Sequence, residues 1–216
     1  MNELYARLLT AYGAQGWWPA ETPFEVMVGA VLTQNTTWIQ VERVIARLRA
    51  AALLSPASLL DLPVDSLAEH IRPAGYPRVK ARRLQALCAW LMASGDLAGL
   101  ADRPTDALRA DLLAVHGVGP ETADSILLYA LARPVFVIDA YTRRILARLG
   151  LVTGREPYEV LRRQVESTLH TDDPARDYNE LHALLVRHAK TACRVRPQCA
   201  ACCLRVGCSA GQALES

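Results

Sequence analysis

The stretch Val115–Asp139, VHGVGPETADSILLYALARPVFVID, decides how the chain folds. Gly117 and Gly119 flank a single valine, and glycine accepts the positive φ and close approach that a tight turn between helices demands. The residues before it, PTDALRADLLAVHG, and after it, PETADSILLYALA, repeat their apolar positions at helical spacing. Pro120 falls at the first turn of the second helix, where proline is preorganised. The pattern predicts helix, Gly-Val-Gly turn, helix. RPVFVID is the one β-branched run of the chain and has no partner of its kind, so it is predicted as an extended connector. Asp139 then stands as N-cap of a helix beginning AYTRRIL.

Outward from there, helical periodicity continues in both directions. PFEVMVGAVLTQNT sets Phe24, Val28, Val31 and Leu32 on one stripe, and WIQVERVIARLRAAALL repeats Ile39, Val41, Val44, Ile45 and Leu48. SPASLLDLPVDSLAEHIRPAG reads as two short helices with Ser and Asp caps and early prolines. PRVKARRLQALCAWLMASG, PYEVLRRQVESTL and DYNELHALLVRHAKTAC are further helices. The fold class is all-α, with about ten short helices joined by short loops.

Of 216 residues, 51% are apolar, enough to build a core without disulfides. No apolar run reaches the ~20 residues of a membrane span. The opening MNELYARLLTAYG reads as an amphipathic helix rather than a signal peptide, so a soluble, cytoplasmic protein is expected. Charge is uneven: residues 1–70 hold four Arg against seven acidic residues, and residues 71–216 hold 20 Lys/Arg against 15. RPAGYPRVKARR, at 72–83, is a basic knot compatible with a phosphate-binding face or with a solvated helix face. Only two residues, Lys80 and Lys190, are lysines.

Cys88 sits in an apolar helix and is predicted to be a buried thiol, whereas the other five cysteines crowd into the last 24 residues. Cys193, Cys199, Cys202 and Cys208 give C-x5-C-x2-C-x5-C, with Cys203 as an extra. Four clustered thiolates suit a tetrahedral metal, zinc included, or an iron–sulfur cluster. Spacing alone does not separate these. Either would staple a short, Arg-rich tail. A turn that ends at a helix N-terminus can hold an anion such as a DNA phosphate without reading sequence. Taken singly, the Gly-Val-Gly turn could be a C-cap followed by an N-cap, and Asp139 a plain cap.

In combination these features resemble the endonuclease III superfamily of DNA base-excision glycosylases, over nearly the whole chain. TQNTTWIQV resembles the helix whose Gln fills the space left by a flipped base. HGVGPETAD resembles the helix–hairpin–helix, VIDAYTRRI the segment of the catalytic Asp, and the cysteine tail the 4Fe–4S loop, with a first cysteine loop one residue shorter. The resemblance implies two helical lobes with a DNA groove between them. Residues 23–133 would form a six-helix barrel with the hairpin, and residues 1–22 and 134–216 a cluster domain. It implies Gln34, with Asn35, as the gap-filling turn, and Tyr76 as a wedge against the opposite strand. Gly117, Val118 and Gly119 would be phosphate holders and Asp139 the essential carboxylate. Cys193, Cys199, Cys202 and Cys208 would ligate a 4Fe–4S cluster. Arg78, Lys80 and Arg143 are expected to contact DNA. The expected partner is double-stranded DNA with a damaged base, bound by a monomer without a membrane and associated with the nucleoid.

Glu121, the second catalytic-site candidate beside Asp139, departs from the bifunctional members, which carry a lysine there that attacks C1′ and forms a Schiff base; its carboxylate would contact a cationic base or merely cap its helix at N2. A carboxylate forms no imine, so lyase activity is expected to be little or none. What remains is hydrolysis assisted by Asp139, which suits alkylated purines, because the base is already cationic on the nucleotide and leaves as a neutral molecule. Trp17, Trp18 and Trp38 would stack on such a base by cation–π contact; the alternative is that the paired tryptophans are core or lobe-interface residues. WWP, FE, GAVLTQNT and Glu121 also resemble the bacterial 3-methyladenine glycosylase branch. Three other readings stay open: a glycosylase for oxidised or mismatched bases, a lesion-binding protein without catalysis, and a zinc-stapled adaptor.

Overall fold

A computed structural model describes residues 1–212. Among the described residues every regular element is helical and no strand forms. The helices are α1 (Asn2–Tyr12), α2 (Pro23–Leu32), α3 (Trp38–Ala50), α4 (Pro56–Asp61), α5 (Val64–Ile71), α6 (Pro77–Ala93), α7 (Thr105–Ala114), α8 (Pro120–Ser125), α9 (Ala140–Arg148), α10 (Tyr158–Thr168), α11 (Pro174–Thr191) and α12 (Ser209–Gln212). Their starts follow local chemistry. Thr22, Ser55, Asp139 and Asp173 each accept a hydrogen bond from a backbone N–H in the first turn, and proline opens α2, α4, α6, α8 and α11.

The chain divides into two compact units, one of Met1–Trp17 with the chain from Pro134 onward, the other of Trp18–Arg133. In the second unit α6 packs on α4 and α5, and α2 packs on α3, α6, α8 and a π-helical turn, Ile126–Ala130, that continues α8. Here the sequence reading needs two corrections. α2 is not one-sided: every residue from Phe24 to Leu32 is buried, because neighbours cover it all round. Ile39, on the first turn of α3, is 55% exposed, while Val41, Val44, Ile45 and Leu48 carry the inward stripe. Cys88 is fully buried in α6, and burial pushes its thiol up to about 12.

In the first unit α11 packs against α1 and α9, and α12 against α9. Leu4 and Leu8 of α1 are buried, as are Leu181, Leu184 and Leu185 of α11. Val135–Ile138 is buried without a strand partner. Its amides find side chains instead: Phe136 N donates to Glu166 Oε1 at 2.9 Å and Ile138 N to the Tyr158 hydroxyl at 3.3 Å. That satisfaction is what lets an extended apolar segment lie in a helical core. No helix is long and apolar enough to cross a membrane, among the described residues.

Candidate functional site

The predicted site residues lie on turns, at helix starts and within helices. The hairpin turn joins α7 to α8, and its two glycines do different work. Gly117 has φ +83°, and a Cβ there would lie 2.2 Å from Arg83 Cγ, so both conformation and packing require glycine. Gly119 is the N-cap of α8, and nothing lies within 4 Å of where its Cβ would be. That face of the turn is open to a close-approaching partner. Val118 is buried under it, 6% exposed, so only its backbone is on offer. Behind the hairpin, Arg109 pairs with the fully buried Asp124 at 2.6 Å, fixing α8 to α7. Glu121 is exposed in the first turn of α8.

Gln34 follows α2 and is tied to the hairpin. Its Nε2 donates to Gly117 O at 3.0 Å and to Thr122 Oγ1 at 2.9 Å, while its Oε1 accepts from Arg83 Nη1. The gap-filling side chain is therefore held as a strut in this structure, and entering a duplex would exchange those bonds. Asn35 is exposed with φ 53°, and Tyr76 is 68% exposed with φ 47°. A left-handed tyrosine is a costly backbone state, of the kind that collects at working sites. Arg78 is exposed and pairs with Asp65 at 2.8 Å.

Lys80 requires a correction. It was expected on the DNA face, yet it is 1% exposed, and its Nζ donates to Leu32 O at 2.8 Å and Ala74 O at 2.7 Å. Residue 80 belongs to the inward stripe of α6 with Leu84, Leu87 and Leu91, all buried. Burial and the neighbouring Arg83 lower its pKa to about 8. An ammonium so placed reaches no phosphate. Arg143, half-buried on α9, likewise turns Nη1 inward, to Glu156 O at 2.6 Å and Gly154 O at 3.3 Å.

Trp18 and Trp38 meet edge to face, with centroids 5.0 Å apart, and Tyr129 adds a second tilted contact to Trp18 at 5.2 Å. Trp18 lies against α2 at Gly29, where a Cβ would be 3.0 Å from its ring. Trp38 Nε1 donates to Glu42 Oε1 at 2.6 Å. Trp17, half-buried, ends the N-terminal segment of the other unit, so the adjacent tryptophans belong to different units.

In the first unit Asp139 caps α9, accepting from Thr142 N at 2.6 Å, and its Oδ2 lies 3.6 Å from His182 Nε2 on α11. Its side chain is 13% exposed. Burial alone would raise its pKa, but the His182 ring and the Thr142 amide together hold it below the ordinary carboxylate value. The carboxylate is kept ionised.

Cys193, Cys199, Cys202 and Cys208 all line one pocket, with Ile145, Leu149 and Leu204 among its apolar walls. Cys203 is not among its lining residues. Arg148 Nη1 donates to Cys193 Sγ at 3.3 Å, and Arg144 donates to Cys193 O at 3.0 Å. Among the described residues no three His, Cys, Asp or Glu side chains draw together around a single ion-sized point. Four thiols lining one pocket are a donor set that suits a tetrahedral metal or an iron–sulfur cluster. Sequence reasoning missed Arg83, Thr122, Tyr129 and His182. The first two show themselves only through Gln34, and the last two only through tertiary contact.

Together, the hairpin, the capping aspartate and the thiol pocket define a helix–hairpin–helix protein with a cysteine-ringed C-terminal loop. Known proteins agree. The profile of the HhH-GPD superfamily base excision DNA repair proteins matches residues 28–170. A Methanocaldococcus jannaschii protein, whose name places it among DNA repair glycosylases, is 45% identical over 95% of this chain and 94% of its own. The H. pylori 3-methyladenine DNA glycosylase MagIII, bound to 1,N6-ethenoadenine, is 30% identical with TM-score 0.73, covering 88% of this chain and 96% of its own. A non-covalent endonuclease III–DNA complex shares the fold at TM-score 0.84 and 24% identity, covering 99% and 96%. The chain belongs to the HhH-GPD superfamily, with the endonuclease III-like helix–hairpin–helix glycosylases, and is a base excision repair DNA glycosylase.

Proposed function

We propose that this glycosylase is monofunctional and hydrolyses the N-glycosidic bond of alkylated purines in double-stranded DNA. The observation that carries the reading is Glu121: the hairpin helix offers a carboxylate where the lyase chemistry of the superfamily needs an amine. Lys80 spends its ammonium on two buried carbonyls, and Lys190 sits on the last turn of α11. Asp139, held ionised, stabilises the positive charge that builds on the sugar and orients the attacking water. A single carboxylate suffices best when the base is cationic before the bond breaks, because it then leaves as a neutral molecule. The Trp18–Trp38–Tyr129 group supports such a substrate, since indole faces attract and stack on a cationic base. That MagIII is bound to a modified adenine supports a purine.

In this reading the hairpin backbone holds a phosphate, and the Gln34–Asn35 and Tyr76 turns face the duplex. The second unit, Trp18–Arg133, is the barrel, its boundary five residues earlier than the sequence suggests, and Met1–Trp17 with the chain from Pro134 is the cluster domain. Cys193, Cys199, Cys202 and Cys208 hold a 4Fe–4S cluster, which when bound cross-links the tail. Cys203→Ala should retain iron and sulfide, and Cys199→Ala should lose them. Stoichiometric zinc without iron after anaerobic preparation would count against the cluster.

The central test incubates the protein with duplexes carrying 3-methyladenine, 7-methylguanine, 1,N6-ethenoadenine, an oxidised pyrimidine or a mismatch, and scores base release and borohydride trapping on abasic DNA. Release of alkylated purine without trapping is expected. Efficient trapping would overturn the monofunctional assignment. Selective binding with no release from any duplex would leave a lesion-binding protein.

A further inference from the structure

Lys80 holds the ends of two separate elements with one ammonium. Leu32 O closes α2, and Ala74 O belongs to the 3-10 turn Arg72–Ala74 before α6. Two residues beyond each carbonyl stand the side chains predicted to enter the duplex: Gln34 after Leu32, Tyr76 after Ala74. Each of these turns also holds an exposed non-glycine residue in the left-handed region, Asn35 at φ 53° and Tyr76 at φ 47°. Such turns persist only where their surroundings over-determine them. One turn along the same face of α6, Arg83 donates to Gln34 Oε1, and its stem packs under Gly117.

Packing alone does not call for a lysine here. A methionine fills the same shaft, and its burial carries no desolvated charge. What only the ammonium adds is three donors on one atom, two of them bridging carbonyls from two elements. We infer that Lys80 is a positioning residue: it sets the Gln34–Asn35 turn and the Tyr76 turn at a fixed mutual spacing before DNA arrives. A duplex-opening wedge that is already ordered loses less on binding than one that orders on contact. The inference rests on the reading that both turns face DNA.

The test uses a tetrahydrofuran abasic-site duplex and the matching undamaged duplex, so that it does not depend on which base is released. Lys80→Met should keep the helical spectrum and the salt slope of undamaged-DNA binding. It should lower the preference for the abasic-site duplex about tenfold, the scale of a lost preorganisation. In a Gln34→Ala/Tyr76→Ala background the same substitution should cost no further preference, because the side chains it serves are gone. A merely structural role would not be silenced by that background.

A salt slope smaller by about one would make Lys80 a phosphate contact and overturn the proposal. Full additivity in the double-variant background, or an unchanged preference, would do the same. If Lys80→Met does not fold, Lys80→Gln, which keeps an amide donor, enters the same cycle with the same outcomes. In the native wild type, reductive methylation should modify the exposed Lys190 and spare Lys80; equal labelling refutes the buried clamp. A wild type without preference for the abasic-site duplex would sink the DNA-facing reading itself, and the proposal with it.

Discussion

Asp139 and Glu121 both lie at helix starts, and the structure treats the two carboxylates in opposite ways. Asp139 is the N-cap of α9: nearly buried, bonded to Thr142 N and set 3.6 Å from His182. Glu121 sits inside the first turn of α8, exposed, beyond an N-cap that is a glycine. Both gain from the positive end of a helix dipole. Only Asp139 is both withdrawn from water and kept charged, the combination that makes a carboxylate useful to a developing cation. Proximity to a helix start is thus common to both, and environment separates the reactive candidate from the surface one.

The strongest way to break this contrast is Asp139→Asn. It keeps an oxygen for the Thr142 amide and removes the charge. Base release under single-turnover conditions should fall by about a thousandfold with lesion binding kept, and a loss under tenfold would end the special status of Asp139.

Acid titration sharpens the same point. Because the folded pKa of Asp139 lies below its ordinary 3.8, its charge and the stability it contributes are present above that value. Both are lost as pH falls through the lower folded value. The acid limb of base release should therefore inflect below pH 3.8, provided far-UV circular dichroism shows the chain still folded. An inflection near pH 6 would assign the limb to another group.

Trp38→Ala should weaken binding to alkylated duplex by about 1–3 kcal/mol, the scale of one base–aromatic stack, and leave undamaged DNA alone. Equal weakening on both, by fluorescence anisotropy, would return Trp38 to the packing of Trp18. Glu121→Gln should have the smallest effect, a helix-end change of about 0.3–1 kcal/mol in thermal stability with base release within a few fold. If it instead rivals Asp139→Asn in activity, the two carboxylates work as a pair and the contrast dissolves.

Much of this was legible in the residues. Early prolines and Ser, Thr and Asp caps set helix starts through local bonding alone, and the glycines at 117 and 119 announced the hairpin. The cysteine spacing likewise foretold residues that line a single pocket. Lys80 was misread because its neighbours Arg78, Arg82 and Arg83 made a basic run, and charge outweighed register. The register was there: 80, 84, 87 and 91 are one helical face, and its other members are leucines. Gln34 as a hairpin strut, the pairing of Asp139 with His182 and the Tyr129 contact join residues far apart in sequence, which periodicity cannot see. The burial of α2 on all sides depends on how many neighbours surround it, again a property of the whole unit.

The first unit draws on both ends of the chain, and this has a consequence for its birth on the ribosome. Tyr5 bonds to Asp177 across 172 positions, Tyr12 meets His188, and Arg7 donates to Cys203 O. At ordinary elongation rates α1 emerges about 10–30 s before α11 exists. In that interval Leu4 and Leu8 have no α11 to cover them, while every residue of the second unit, Trp18–Arg133, has been synthesised before α11 begins. The apolar face of α1 therefore waits uncovered until α11 has been made, and its docking is a late step in forming this unit.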